Sequence, residues 1–324
     1  MNTTTAHLLK ASQLLYAQEY DDDALALLRE AIQIDPNSRE SHVQLAYVLF
    51  RMGHLREAAQ ELSWLWAPQF GDQRGVLSSD IDLSGKTILL SADAGLGDSI
   101  MFARFALLLR GRGCRVVLQV QEPLVRLMHL SNLADTVIST SEQMPDHDLR
   151  IPFHNLMAAL DVGDSTALIG SDGYLTPLEE DIEYFASQLH AETGSRKVGI
   201  CWQGNPNFPS DKLRSVSQAF VVSLTQASDH LVSLVPSQVF EPSTTRTVQS
   251  FTFNDIAETA ALIRCLDYVI TVDTMVCHLS GALGVPTLLL NRFNGCWRWG
   301  QSQPNSIWYD AIEIKRQTKT LTWS

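Results

Sequence analysis

Residues 268–290, YVITVDTMVCHLSGALGVPTLLL, place a strand, a charged turn, a helix and a second strand within 23 residues. Tyr268 to Val272 is apolar and rich in β-branched residues, as a strand buried on both faces should be. Asp273-Thr274 then opens a helix, Gly281 and Gly284 allow its close packing and its termination, and Pro286 to Leu290 reads as the next strand. This order belongs to a parallel α/β sheet. At the start of such a helix the N–H groups of Thr274, Met275 and Val276 lack intrahelical partners. Together with the positive end of the helix dipole they can hold an anion at the carboxyl edge of the sheet. His278 lies one turn further on. Taken alone it reads as a structural, hydrogen-bonded histidine.

At 324 residues the chain exceeds the usual size of one core, and two or three domains are expected. Lys and Arg number 24 against 36 Asp and Glu, giving a net charge of −12, which repels a nucleic-acid backbone on average. Any anionic ligand must therefore be small and locally bound. Residues 274–291 lack charged side chains altogether, but Gly281, Gly284, Pro286, His278, Ser280 and Thr287 argue against a membrane span. The N-terminal MNTTTAHLLKASQLLYAQEY lacks the basic start and unbroken apolar core of a signal peptide, so a cytoplasmic location is expected. Five cysteines, an odd number without CxxC spacing, fit a reduced compartment and do not fit a zinc site.

Residues 6–66 read as four helices in two similar pairs, Ala6–Ala17 with Asp21–Gln33 and Glu40–Met52 with Leu55–Trp66. A 34-residue offset matches Ala11 with Leu45, Leu15 with Leu49, Ala24 with Ala58, Leu28 with Leu62 and Ala31 with Leu65. The pattern resembles tetratricopeptide repeats. Two repeats are fewer than a free-standing solenoid needs, so this unit, residues 1–70, is expected to lean on the domain C-terminal to it. It serves either as a partner-docking surface or as a stabilising cap.

From Lys86 the period changes to strand, turn, helix, strand. KTILLSA, GLGDS, an amphipathic helix IMFARFALLLRGRG stopped at Gly113, and RVVLQV call for a parallel sheet with right-handed crossovers. With strands at Thr136–Ser139 and Asp148–Ile151, residues 84–176 form one doubly wound half. A connecting helix falls within 177–196, and KVGICW starts a second half over 197–324. The expected fold class is α/β, two facing Rossmann-like halves preceded by an all-α repeat unit.

Gly95 and Gly97 turn the backbone sharply and leave Asp98 at the mouth of a helix facing the cleft. Its carboxylate can accept the proton of an attacking hydroxyl, or it can simply cap the helix. In CWQGNPNFPSDKLRSV, residues 201–216, Gln203, Gly204 and Asn205 can reach a sugar or phosphate, and Lys212 and Arg214 can offset a leaving diphosphate. The alternative is an ordinary turn shaped by Pro206 and Pro209 with solvated bases. Asp146-His147-Asp148 and Asp80-Ile81-Asp82 match a D-x-D metal pattern, but solvated surface roles are expected of both, so no metal is assigned. GxGxxG, GxSxG and P-loop sequences are absent, which weakens a dehydrogenase, hydrolase or NTPase reading.

GLGD before a helix, RVVLQVQEPLVRL, VGICWQGNP, KLRSV, ETAALIRCLDYVITVDTMVCHLSGALGVP and the closing WRW…WY occur in one order. In that order the chain resembles bacterial tetratricopeptide-repeat proteins whose C-terminal part is similar to glycosyltransferase family 9, the heptosyltransferases, with the GT-B fold. The resemblance implies that Asp98 is the catalytic base and Arg214 contacts the donor phosphates. It also implies that Asp273, Thr274 and His278, with N–H groups of Met275 and Val276, form the donor turn. A metal-independent glycosyltransferase is thereby implied, taking a nucleotide-sugar donor and a protein acceptor recruited by the repeats. A non-catalytic scaffold and a nucleotide-sugar epimerase are the alternatives. Two departures from the family pattern stand out: the ending RQTKTLTWS, where a long final helix is expected to be absent or displaced, and the short Pro/Ser/Thr-rich segment 233–248.

Overall fold

The computed structural model describes residues 3–65, 82–163, 171–208, 211–235, 246–319 and 322–323. Asp80, Ile81, Pro209 and most of the segment 233–248 therefore lie outside the described residues. The N-terminal unit is α1 (Thr3–Tyr16), α2 (Asp21–Ile34), α3 (Arg39–Met52) and α4 (Leu55–Leu62). Ala24, Leu28, Ala31, Leu45, Leu49, Ala58 and Leu62, all from the 34-residue superposition, are buried. Alanine at 24 and 58 removes the bulk that would otherwise hold neighbouring helices apart. Ser38 caps the start of α3 by accepting from the Ser41 N–H, and Gly53, at φ +91°, ends it in the left-handed conformation. The expected continuation of α4 to Trp66 becomes a 3-10 turn at Ser63–Leu65, and Trp66 lies outside the described residues.

A buried ion pair ties the two helical pairs together. Arg51 Nε donates to both carboxylate oxygens of Asp21, at 3.0 and 2.9 Å, and Nη2 donates to the Tyr16 carbonyl at 2.7 Å. The guanidinium also lies 3.5 Å from the centre of the Tyr16 ring. Its remaining Nη1 reaches Asn294 Oδ1 at 2.8 Å, outside the repeats. The turn between α1 and α2 reaches the same loop, since Glu19 Oε1 accepts from the Asn294 N–H at 2.9 Å. The helical unit thus leans on the later part of the chain.

The first sheet contains β1 (Thr87–Ser91), followed by α5 (Leu96–Ala103) and α6 (Phe105–Gly111), then β2 (Arg115–Val120), α7 (Val125–Leu130), β3 (Thr136–Ser139), β4 (Leu149–Pro152) and α8 (Leu156–Ala159). Its order is β3-β2-β1-β4 and all pairs are parallel. Ser91 lies beside both Gln119 and Pro152, so the carboxyl ends of β1 and β4 emerge together. The single helix expected over 100–113 is broken at Arg104. Arg104 is fully buried and turns inward to donate to the carbonyls of Met101, at 2.9 Å, and Trp308, at 2.6 Å.

The second sheet comes after α9 (Glu179–Gln188), the connecting helix, which lies within 177–196. Its elements are β5 (Lys197–Cys201), α10 (Asp211–Arg214), α11 (Gln218–Ser223), β6 (His230–Ser233), β7 (Val248–Gln249), α12 (Ile256–Arg264), β8 (Tyr268–Val272), α13 (Met275–Ala282), β9 (Thr287–Asn291) and β10 (Ile312–Arg316). Strand order is β10-β9-β8-β5-β6-β7, again all parallel. Strand β10 is an addition to the expected set. Its buried Ile312 and Ile314 alternate with exposed Glu313, the period-two pattern of an edge strand. Among the described residues no helix is long and apolar enough to cross a membrane; the uncharged run 274–291 is spent on α13 and β9.

Asp21→Asn removes the charge that compensates buried Arg51 and is expected to cost about 3–5 kcal/mol of stability. Urea unfolding followed by circular dichroism measures it. A loss below about 0.5 kcal/mol, the range of an ordinary surface substitution, would show that the pair does not hold the repeats together.

Candidate functional site

The two sheets meet where α5 packs against α13. Gly97 makes this approach possible, because a Cβ there would lie 2.6 Å from Cδ2 of His278. His278 is buried on α13 and pairs through Nδ1 with the Tyr309 hydroxyl at 3.0 Å, and its ring lies 5.0 Å from that of Trp299. Gly281, one turn later, faces the Tyr309 ring, where an added Cβ would fall 2.5 Å from Cγ. Glycines on two helices thus let one histidine and one tyrosine fill the joint. Burial pushes the His278 imidazole down to about 4, so it is neutral near pH 7.

Asp98 stands in the first turn of α5, beside this joint. Its Oδ2 accepts from the Gly95 N–H at 3.2 Å, which is the capping role, while Oδ1 receives the guanidinium of Arg298. Asp98 thus takes the expected capping role and is at the same time paired with Arg298. Burial opposes its ionisation, but Arg298, His154 and His278 outweigh that and keep the carboxyl below its ordinary value. Arg298 belongs to a 3-10 turn, Trp297–Trp299, and its guanidinium lies 4.3 Å from the ring centre of Trp297. Phe50 of α3 stacks on the same tryptophan, with ring centres of Phe50 and Trp297 4.3 Å apart. The repeats therefore support the arginine that meets Asp98.

A third group completes this side. His154 follows β4 in a 3-10 turn, and Asp93 follows β1. Because β1 and β4 are neighbours, Asp93 Oδ1 reaches His154 Nδ1 at 2.8 Å and Oδ2 accepts the His154 backbone N–H at 3.2 Å. His154 Nε2 faces Asp98 Oδ1 at 3.9 Å. Neither Asp93, His154 nor Arg298 stands out in the sequence as a site residue. The available signal was positional, since Asp93 and His154 each closely follow a strand of a parallel sheet, where ligands bind. For Arg298 the only signal was its place within WRW.

On the other side, Thr274 is the N-cap of α13. Its hydroxyl turns toward Thr271, at 3.4 Å, and Cys201, at 3.8 Å, and not toward the helix backbone. The first N–H groups of α13, those of Met275 and Val276, thus receive no side-chain cap from it. Arg214 donates from Nη1 to the Asp273 carbonyl at 2.6 Å and from Nε to Asp211 Oδ1 at 2.8 Å. Gly204 lies directly against Arg214 and Asp211, which leaves no room for a side chain. Gly204, Arg214, Asp273 and Thr274 therefore form one cluster at the carboxyl ends of β5 and β8. Gln203 offers its carbonyl to Cys201 Sγ at 3.4 Å, Asn205 Oδ1 caps the Asn207 N–H at 2.9 Å, and Lys212 is exposed. Gln203 is half-buried, as Arg214 is, whereas Asn205 and Lys212 are exposed.

Asp148, from the first D-x-D pattern, binds the Thr87 N–H at 2.8 Å and Lys86 at 3.2 Å, which fixes the start of β1. Asp82, from the second, accepts from the Ser84 N–H at 2.9 Å. Among the described residues no group of three His, Cys, Asp or Glu side chains is placed to hold a metal ion.

A tetratricopeptide repeat family model matches residues 15–75. No curated protein sequence matches the chain. Among solved structures, the glycosyl transferase family 9 protein from Veillonella parvula DSM 2008 superposes with a TM-score of 0.54 at 14% identity, covering 73% of this chain and 87% of its own. The ADP-heptose lipopolysaccharide heptosyltransferase II of E. coli superposes at 0.50 and 12% identity, covering 72% of this chain and 91% of its own. These likenesses show the fold: mixed α/β with parallel sheets, here preceded by helical repeats.

The folded pKa of His278, about 4, lies below its ordinary 6.5, so the unfolded chain takes up the proton first as pH falls. Its contribution to stability is complete above about pH 6.5 and is lost toward pH 4, by up to about 3 kcal/mol. The lowered pKa of Asp98 acts only at still lower pH. Urea unfolding at a series of pH values should show this loss, and His278→Gln should flatten it; an unchanged slope in the variant would refute the assignment.

Proposed function

We propose that the chain is a glycosyltransferase that moves a sugar from a nucleotide-diphosphate donor to an acceptor hydroxyl, in a GT-B arrangement. Residues 84–176 form the acceptor side and 197–324 the donor side, joined through 177–196. One observation carries this reading: the glycine turn bearing Asp98 packs directly on the helix whose N-terminus faces the basic loop. A hydroxyl beside Asp98 and a diphosphate at the start of α13 would then share one cleft, as displacement at an anomeric carbon requires.

In this mechanism the Asp98 carboxylate orients and activates the acceptor hydroxyl. The oxygen attacks the anomeric carbon as the bond to the diphosphate breaks. The N–H groups of Thr274, Met275 and Val276, the dipole of α13, Arg214 and Lys212 stabilise the departing charge. Gln203, Gly204 and Asn205 contact the donor, with Gly204 keeping Arg214 close. These donors offset the charge of a leaving diphosphate, and no metal enters the scheme. The fold neighbour from E. coli is named for ADP-heptose, which makes that donor the first to test here. The repeats, by the general use of such units, would recruit a protein acceptor.

Calorimetry with a panel of nucleotide sugars headed by ADP-heptose tests the donor site. Arg214→Ala should weaken the donor that binds by about tenfold or more, as expected for a lost charge-assisted contact worth about 1.5–3 kcal/mol. Binding of none of them would favour a non-catalytic scaffold. For catalysis, Asp98→Asn should reduce transfer by at least about 100-fold while donor affinity stays within twofold or so. Full activity in that variant would exclude the role given to Asp98, and conversion of the donor without any acceptor would point to an epimerase.

A further inference from the structure

We propose that His154, oriented by Asp93, receives the proton of the acceptor hydroxyl, so that Asp98 and His154 act as one base. This deepens the transferase reading and rests on it.

Asp98 is already occupied. Its Oδ1 is paired with Arg298 and its Oδ2 with the Gly95 N–H. Both oxygens are therefore engaged before any acceptor arrives, and the arginine favours the ionised form. A carboxylate in this state is a poor place for a proton to remain, but its charge stabilises a cation formed beside it.

His154 has the complementary arrangement. An ionised carboxylate only accepts hydrogen bonds, so the bond between Asp93 Oδ1 and His154 Nδ1, at 2.8 Å, places the proton of the neutral ring on Nδ1. Nε2 then carries a bare lone pair. Asp93 also grips the His154 backbone N–H, which fixes the ring's position as well as its tautomer. Phe102 meets the ring edge-on, with centres 5.2 Å apart. Histidine and its carboxylate are both buried, with side-chain exposures of 9% and 4%. This is the logic of a base held by a third group.

Nε2 and Asp98 Oδ1 are 3.9 Å apart, too far for a hydrogen bond between them. An acceptor hydroxyl about 2.8 Å from Nε2 donates its single proton to that nitrogen, and the Asp98 carboxylate facing the ring stabilises the charge the ring acquires. During transfer the acceptor O–H bond breaks and its proton moves to Nε2. The oxygen forms its bond to the anomeric carbon, and the bond from that carbon to the diphosphate breaks with its electron pair on the leaving group. The resulting imidazolium lies between Asp93 and Asp98, two carboxylates that stabilise it.

The test uses the full chain and the nucleotide sugar selected by calorimetry, with release of nucleoside diphosphate as the readout and water as acceptor when none is supplied. His154→Gln keeps polarity and approximate size but lacks a basic nitrogen. The expected result is a kcat lowered at least about 100-fold, with donor affinity within about twofold of the parent, and with added imidazole restoring part of the activity of His154→Ala. Parental kcat in His154→Gln would overturn the proposal while leaving the transferase reading intact. Loss of donor affinity together with kcat would also overturn it, by showing that His154 supports the fold of the cleft. If the parent chain releases nucleotide from none of the sugars, both readings fall.

Discussion

The ion pair between Asp98 and Arg298 is the contact around which the joint between the two sheets is organised. A carboxylate withdrawn from water in this joint would take up a proton unless a cation stood against it. Arg298 supplies that cation, but an arginine is itself costly to bury and must be held in place. Trp297 and the Cys296 thiol, which accepts from Arg298 Nη1 at 2.8 Å, hold it within the turn, and Trp308 Nε1 binds the Arg298 carbonyl at 2.8 Å. The pair therefore connects the first sheet with the turn beyond β9 of the second.

The helical repeats enter the same chain of contacts. Phe50 stacks on Trp297, Arg51 reaches Asn294, and Glu19 binds the Asn294 N–H. Residues near 294–298 are thus fixed from one side by the repeats and from the other by Asp98. The internal ion pair of Arg51 with Asp21 has consequences beyond the repeat unit for this reason: the guanidinium that joins the two helical pairs also anchors the loop leading to Arg298. A second buried arginine, Arg104, performs a comparable function in the joint, spanning from α5 to the Trp308 carbonyl and lying between the rings of Tyr174 and Tyr309.

Much of the fold was legible because its periods are strong. The helical pairs repeat at 34 residues, and the apolar runs Tyr268–Val272 and Thr287–Leu290 have the length and apolar character of interior parallel strands. Asp98, Arg214 and the Asp273-Thr274 turn were visible because local chemistry marks them, by a glycine turn, a basic pair in an acidic chain and a helix start. His154 carries no such mark. It follows a short strand in the ordinary-looking stretch IPFHN, and Asp93 is one acidic residue among 36 acidic side chains. Arg104 fell within a single expected amphipathic helix, whereas that helix is broken at Arg104, which is buried.

What the sequence determined by itself was the set of elements and their periods, because these arise from side-chain patterns within a few residues of one another. It also marked the positions where a backbone must turn sharply or approach closely, Gly95, Gly97, Gly281 and Gly284. The order of the strands was decided only in the tertiary structure. Placing β4 beside β1 brings Asp93 to His154 across 61 positions of sequence, and the packing of Gly97 on His278 sets their two helices face to face. The meeting of Asp98 with Arg298 spans 200 positions. No local pattern encodes such a pairing, since each partner is ordinary where it stands and acquires its charge environment only from the other.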